Sequence, residues 1–288
     1  MSATSESNSV APFKLRYACH LGFLSRDRPL FHETLGTAEP TAHIAYAATQ
    51  GFAGIEDNWF MSREAVEQAR IGEALNRFGL ELGCFVVSFD PSDYSWVSHD
   101  EQAIAKIDAE IAAGIEAAKR GSGRYMVMAP AALPGVPFSI QLTNVIRHLR
   151  RVAGMCERAG VILCIEQTNR FGLPGMLLQH VLDAWAVVRT VESPAVKLLF
   201  DFYHVQQMDG NLVANFRQCR DEIAISQIAD LPGRCKLGDS EINWPAVLRA
   251  VRDSGYRGLI EYEVVPATEG EAGEQAALEA LRRVDAAI

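Results

Sequence analysis

Short apolar runs alternate with longer amphipathic ones along most of this chain. The apolar runs are KLRYACHL (14–21), AGIED (53–57), LELGCFVVSF (80–89) and RYMVMAP (124–130), followed by VILCIE, VKLLFD, EIAISQ and GLIEYE. Their length and apolar content predict strands. The segments between them, at 40–51, 62–79, 100–121 and 139–160 and near 176–190, 208–220, 243–253 and 272–286, carry helical character. Segment 62–79 opens on Ser62, has acidic residues early and Arg77 late, and stops at Gly79, which is the expected placing of helix caps and end charges. Gly51 and Gly121 close two others.

Eight strands in strict alternation with about eight helices predict a parallel sheet with helical crossovers. Eight such units in 288 residues fit a closed (β/α)8 barrel, a TIM barrel of the α/β class. A doubly wound open sheet is the alternative, and the lack of a GxGxxG turn after any early strand counts against it. No composition shift marks an inter-domain linker. The expected organisation is one domain over residues 13–288 behind a Ser-rich flexible tail, residues 1–12. Segments 90–99 and 130–138 read as loops at the barrel mouth. Trp59 and Trp96 serve either as walls of that mouth or as packing between helix and barrel.

The last four strands share one feature. Each closes on an oxygen-bearing side chain: Glu166, Asp201, Gln227 and Glu263, at spacings of 35, 26 and 36 positions. In a parallel barrel, successive strands end on one common face, and that face carries the active site. Two Glu, one Asp and one Gln brought together there form an oxygen cage for one divalent cation, Mg2+ or Mn2+ rather than zinc. A single such residue reads as a cap or half of an ion pair, but four on consecutive strand ends are harder to explain so, and the like charges among them repel unless a cation balances them. In the last strand, alternation puts Glu261 and Glu263 on the same face; counting from Gly258 favours Glu263.

Such a site suits proton transfer next to a carbonyl. A cation that grips adjacent carbonyl and hydroxyl oxygens acidifies the C–H between them, and a carboxylate within reach of that carbon acts as base. Glu166 and Glu263 are the acid/base pair, and a cis-enediolate connects the two isomers. Further candidates near the strand ends are His204, Arg234 and Asn169 for substrate, Arg170 beside Asn169, Glu56 after strand 2 and His20 after strand 1.

Bulk properties narrow the field. Hydrophobic residues make up 49% of the chain, enough for a large core, and the net charge is −9 with a pI near 5.3. An acidic surface is a poor match for nucleic acid or an anionic membrane. Arg147, Arg150 and Arg151 fall at helical spacing on a solvated face. The six cysteines form no CxxC pair, so they read as free thiols in a reducing compartment, with Cys164 as barrel packing. The N-terminal residues lack the apolar stretch of a secretory signal, and no run is long enough to span a bilayer. The expected location is the cytoplasm. Outer helices of such barrels often pair, which suggests a homodimer or homotetramer.

Particular motifs carry a family resemblance: IEQTNR with PG beyond it (Glu166, Asn169, Arg170, Pro174, Gly175), FDFYHVQ (Asp201, Tyr203, His204, Gln206), QIADLPGR (Gln227 to Arg234) with SEINW after it, and the closing GYRGLIEYE. From Cys164 to Pro266 the chain resembles the hydroxypyruvate isomerase family of xylose-isomerase-like barrels; before that, only GFAGIE (51–56) does. The resemblance implies a metal-dependent interconversion of hydroxypyruvate and 2-hydroxy-3-oxopropanoate (tartronate semialdehyde). It places the catalytic glutamates on Glu166 and Glu263 and the ligands on Glu166, Asp201, Gln227 and Glu263. The loops DNWFM, DPSDYSW and PAALPGVP depart from the family pattern, so they leave the substrate open.

Three neighbouring functions stay in view. A 2-oxo-tetronate isomerase uses the same chemistry. A ketose 3-epimerase of this fold would carry His where Gln227 stands. A non-catalytic sugar-acid-binding barrel would have no need of two opposed glutamates. A DNA-repair endonuclease of the superfamily calls for a His-rich zinc site and a basic groove, and the chain offers neither.

Overall fold

A computed structural model describes residues 12–288 of the chain. The expected tail lies outside the described residues except for Pro12. The strands are β1 (Tyr17–His20), β2 (Gly54–Glu56), β3 (Glu81–Leu82), β4 (Cys84–Ser88), β5 (Tyr125–Met128), β6 (Ile162–Glu166), β7 (Val196–Asp201), β8 (Ile223–Ile228) and β9 (Ile260–Tyr262). All pair in parallel, in the order β3-β2-β1-β9-β8-β7-β6-β5-β4. The two ends of that order, β3 and β4, are consecutive in the chain and separated only by Gly83. They are the two pieces of the predicted third strand: one piece pairs with β2, the other with β5. The sheet therefore closes into the expected barrel.

The eight predicted helices are present: Pro40–Thr49, Ala65–Phe78, Glu101–Gly121, Phe138–Ala159, Val181–Val191, Leu212–Cys219, Trp244–Asp253 and Glu271–Ala286. Gly79 ends its helix in the left-handed conformation, φ 66°, which a side chain would resist. Ser62 is not the cap it was expected to be. It closes a 3-10 turn, and the helix starts after Glu64. Gly121 ends inside its helix, and Ser122 takes the left-handed position after it. The sequence pattern also missed the helix Phe202–Met208, which starts directly on the end of β7.

Period-two alternation sorts the strand side chains into two layers. One face packs against the helices and forms the larger core. The other fills the barrel lumen with Ala18, Cys84, Tyr125, Val127, Cys164, Leu199, Ile225 and Leu259. Cys164, Leu199 and Ile225 lie two residues before Glu166, Asp201 and Gln227. The same face that builds the apolar floor thus carries the polar groups just above it. Cys164 is packing, as expected. No helix of the described residues is long and apolar enough to cross a membrane.

Candidate functional site

Glu166, Asp201 and Gln227 end or nearly end β6, β7 and β8, and Glu263 extends β9 by one residue, donating its N–H to Ile228 O at 3.1 Å. Asp201 and Gln227 are cross-strand partners. All four side chains are buried, and Glu166, Gln227 and Glu263 line one cavity of about 620 Å³ at the barrel mouth, together with Asn58, Asn169, His204 and Arg234. The expected site residues are brought together, as a chain of contacts rather than as a bare oxygen cage.

Arg234 is the centre of that chain. Its Nη1 donates to Glu263 Oε2 at 2.5 Å and its Nη2 to Asp201 Oδ2 at 2.8 Å. The QIADLPGR turn aims it there: Gly233 and Arg234 both have positive φ, 72° and 59°. An arginine rarely adopts this conformation, and the two ion pairs hold it in place. The guanidinium also stacks on the rings of Tyr203 and Phe23, at 4.5 and 4.8 Å. Asp201 and Glu263 raise its pKa against the effect of burial, so it stays charged.

His204 bridges the other side. Asn169 donates its backbone N–H to His204 Nδ1 at 3.2 Å, with its side-chain nitrogen 2.7 Å from the same atom. A backbone N–H can only donate, so Nδ1 accepts, and Nε2 has the Arg234 Nη2 nitrogen 3.0 Å away. Nε2 also faces Glu166 Oε1 at 3.3 Å and Asp201 Oδ2 at 3.4 Å. Asn169 is itself fixed, because its Oδ1 accepts from the N–H groups of Phe171 and Gly172. Burial lifts the Glu166 carboxyl above its ordinary range, and the His204 hydrogen bond pulls it partly back. That is a suitable setting for a base.

Asp201 also serves the backbone. Its Oδ1 caps the helix Phe202–Met208, accepting from Tyr203 N–H at 2.8 Å. His20 is buried and satisfied by backbone, with Nε2 on Val264 O at 3.0 Å and Nδ1 accepting from Gly22 N–H. Arg170 is exposed and lies over the Phe171 ring. Trp59 lines the mouth; Trp96 is buried and donates to Ser88 Oγ at 3.0 Å.

Glu56 forms no ion pair among the described residues; it belongs to a deeper group. Glu56, Cys84 and Glu261 offer ligand-type atoms within 4.8 Å of one another, as do Glu166, Asp201 and His204 nearer the mouth. Sequence reasoning missed the roles of Glu261, Cys84 and Asn58, whose Nδ2 donates to Glu263 Oε1 at 3.0 Å. The i, i+2 spacing of Glu261 and Glu263 was the available signal for the first.

The donor set suits a divalent cation. Carboxylate oxygens dominate, and Gln227 Oε1 is buried with no hydrogen-bond partner among the described residues. A lone carbonyl oxygen of this kind is what a hard cation coordinates, and leaving it unpaired is costly.

A protein-family model described as xylose isomerase-like TIM barrel matches residues 44–284. Hydroxypyruvate isomerase of Escherichia coli (strain K12) is 34% identical over 130 residues, a match spanning 45% of this chain and 50% of that enzyme. A putative hydroxypyruvate isomerase of Homo sapiens is 28% identical over 265 residues, covering 88% and 90% of the two chains. Among solved structures, an AP endonuclease, family 2, from Brucella melitensis superposes with a TM-score of 0.75 at 24% identity, covering 90% of this chain and 96% of that one; this likeness is one of fold.

Proposed function

The chain belongs to the xylose isomerase-like TIM barrel family and is an enzyme of isomerase type; from that premise we propose that it interconverts hydroxypyruvate and 2-hydroxy-3-oxopropanoate, with Glu166 and Glu263 as the acid/base pair. The observation that carries this reading is that both carboxyl groups, from strands three places apart in the barrel, line one cavity. Glu166, Asp201, Gln227 and Glu263 would hold a divalent cation, Mg2+ or Mn2+, which when bound polarises the substrate carbonyl. One glutamate takes a proton from the hydroxyl-bearing carbon, C3 of hydroxypyruvate, to give the cis-enediolate. The same residue or its partner returns a proton to C2, while the C3 hydroxyl proton passes to the C2 oxygen. His204 faces Glu166 with its Nε2 at 3.3 Å, and Asn58 and Arg234 hold Glu263. The six unpaired cysteines, five of them buried, support a cytoplasmic location. Exposed apolar side chains on outer helices, Val66, Phe78 and Leu182, support a homodimer or homotetramer.

The test is proton exchange in D2O, followed by NMR on hydroxypyruvate with added Mg2+ or Mn2+. The unaltered chain should wash deuterium into C3. Glu166→Gln and Glu263→Gln should each slow this by about 10²–10⁴-fold, the usual contribution of general acid–base catalysis, with far-UV circular dichroism unchanged. Normal exchange in both variants would remove the two-glutamate mechanism.

The cavity admits a second reading within the same chemistry. Its volume is far beyond the needs of a three-carbon acid, and Phe23, Leu24, Trp59, Val86, Phe89 and Leu173 make its outer wall apolar. A four-carbon 2-oxo-tetronate also fits within it. A higher kcat/KM for the four-carbon acid in the same assay would decide for this reading. A ketose 3-epimerase is the weaker alternative, because Gln227 stands where a histidine is expected.

A further inference from the structure

Gln227 can serve a cation only through its oxygen, yet the two ends of a side-chain amide have nearly the same shape. Something must choose between them. Gln227 and Glu261 are cross-strand partners on β8 and β9, and both face the lumen. Gln227 Nε2 lies 3.1 Å from Glu261 Oε2 and 3.5 Å from both Glu56 Oε1 and Cys84 Sγ. Glu263 Oε1 lies 3.4 Å from the same nitrogen. The carboxylates among these neighbours, once ionised, only accept, so an amide oxygen turned that way would meet other oxygens.

Glu261 is held firmly enough to impose the choice. Its Oε1 accepts the Cys84 backbone N–H at 2.6 Å, and its Oε2 is 3.0 Å from Cys84 Sγ. The break at Gly83 makes room for it, since a Cβ on that residue would stand 2.2 Å from Glu261 Oε1. Glu56, Cys84 and Glu261 are close enough to hold a metal themselves. However, the Gln227 amide nitrogen sits among them, so the group is an acceptor cradle and not a second cation site. At the opposite end of the side chain, Gln227 Oε1 has no partner.

We infer that Glu261 is a positioning residue that fixes the Gln227 amide, so that its oxygen rather than its nitrogen is presented to the divalent cation. This role rests on Gln227 being a ligand. It is tested by calorimetric titration of Mn2+ into the metal-free protein. Glu261→Gln keeps the shape but adds a donor that can hold Gln227 by its oxygen. Mn2+ affinity should fall about 10–100-fold, as when partners that orient a ligand are lost. The double variant Glu261→Gln/Gln227→Glu should recover most of it, because a carboxylate offers an oxygen at either end.

Affinity unchanged in Glu261→Gln overturns the positioning role alone, and so does a loss that the double variant does not rescue. No Mn2+ binding by the unaltered chain overturns the ligand reading along with it. A second measurement needs no variant: NMR of the metal-free protein should find the Gln227 side-chain amide protons protected from exchange. Free exchange of those protons also overturns the proposal.

Discussion

The barrel holds two acidic groups one layer apart, and they are stabilised in opposite ways. At the mouth, Asp201 and Glu263 are paired with the Arg234 guanidinium, and Glu166 faces His204. One layer down, Glu56 and Glu261 form no ion pair among the described residues, and Glu261 is held by a backbone N–H, a thiol and an amide. Burial is nearly complete in both groups, so depth does not distinguish them. Burial is the largest cause lifting Glu56 well above the carboxylate range and Glu261 to about 8, with hydrogen bonds from Cys84 pulling Glu261 back. The mouth holds two of its acids as charge-paired groups. The lower layer holds its acids by neutral donors, and once ionised they become acceptors for the Gln227 amide.

Removing the cation should break that contrast. Arg234→Met leaves Asp201 and Glu263 as buried, uncompensated charges. Loss of one partner from a buried pair costs roughly 3–5 kcal/mol. Urea unfolding of the metal-free variant should show a deficit of this size, and Mn2+ should restore part of it by binding the native state. An unchanged midpoint would mean that the mouth acids are balanced in some other way.

His20 gives a third case and an effect of slightly smaller size. It is the cross-strand partner of Glu56, but its ring bonds only to backbone at Val264 and Gly22. Burial lowers its pKa from 6.5 to about 4, against the opposing pull of the Val264 carbonyl and Glu263, while His43 adds to the lowering. Between these two values the unfolded chain binds more protons than the folded one. The contribution of His20 to stability should therefore rise with pH across that window and be lost as pH falls from 6.5 towards 4. The full effect is on the order of 3 kcal/mol. His20→Gln should flatten this part of the profile in urea melts at pH 4.5, 5.5 and 6.5. A profile of unchanged slope would assign the acid sensitivity to other groups.

The same contrast explains what was legible in the sequence. The barrel, its strands and its eight expected helices were readable because each is a local pattern of apolar spacing. Glu166, Asp201, Gln227 and Glu263 were readable because each sits at a strand end, where position in the chain predicts position in space. Glu261 and Cys84 were not, although alternation already put Glu261 beside Glu263. Their roles depend on register between β8 and β9 and on the break between β3 and β4, and register is a property of pairs of strands. Arg234 was legible as a residue near the mouth, but its grip on two carboxylates at once depends on the left-handed turn that carries it back there. Asn58 reaches Glu263 from a loop that matched no family motif.

One change, made once in each layer, sharpens the comparison at its finest scale. Gly83 and Gly172 each lie beside one of the two groups, and neither has the positive φ that would penalise a side chain by itself. A Cβ at Gly83 would be 2.2 Å from Glu261 Oε1 and 3.1 Å from Ile55 O, so the Glu261 carboxylate must move or the strand break must widen. A Cβ at Gly172 would meet Asn169 Oδ1 at 3.5 Å, an ordinary contact. Gly83→Ala should therefore cost about 1–3 kcal/mol, the usual range for overpacking. Gly172→Ala should be neutral or slightly stabilising, by up to about 1 kcal/mol, because alanine restricts the unfolded chain. The two urea midpoints, measured side by side, give the stability comparison. Mn2+ affinity should weaken in Gly83→Ala and hold in Gly172→Ala, because only the first displaces the acceptor that holds Gln227. If both variants unfold at the same urea concentration, the lower layer is no more tightly built than the mouth, and rigidity cannot be what lets Glu261 orient its neighbour.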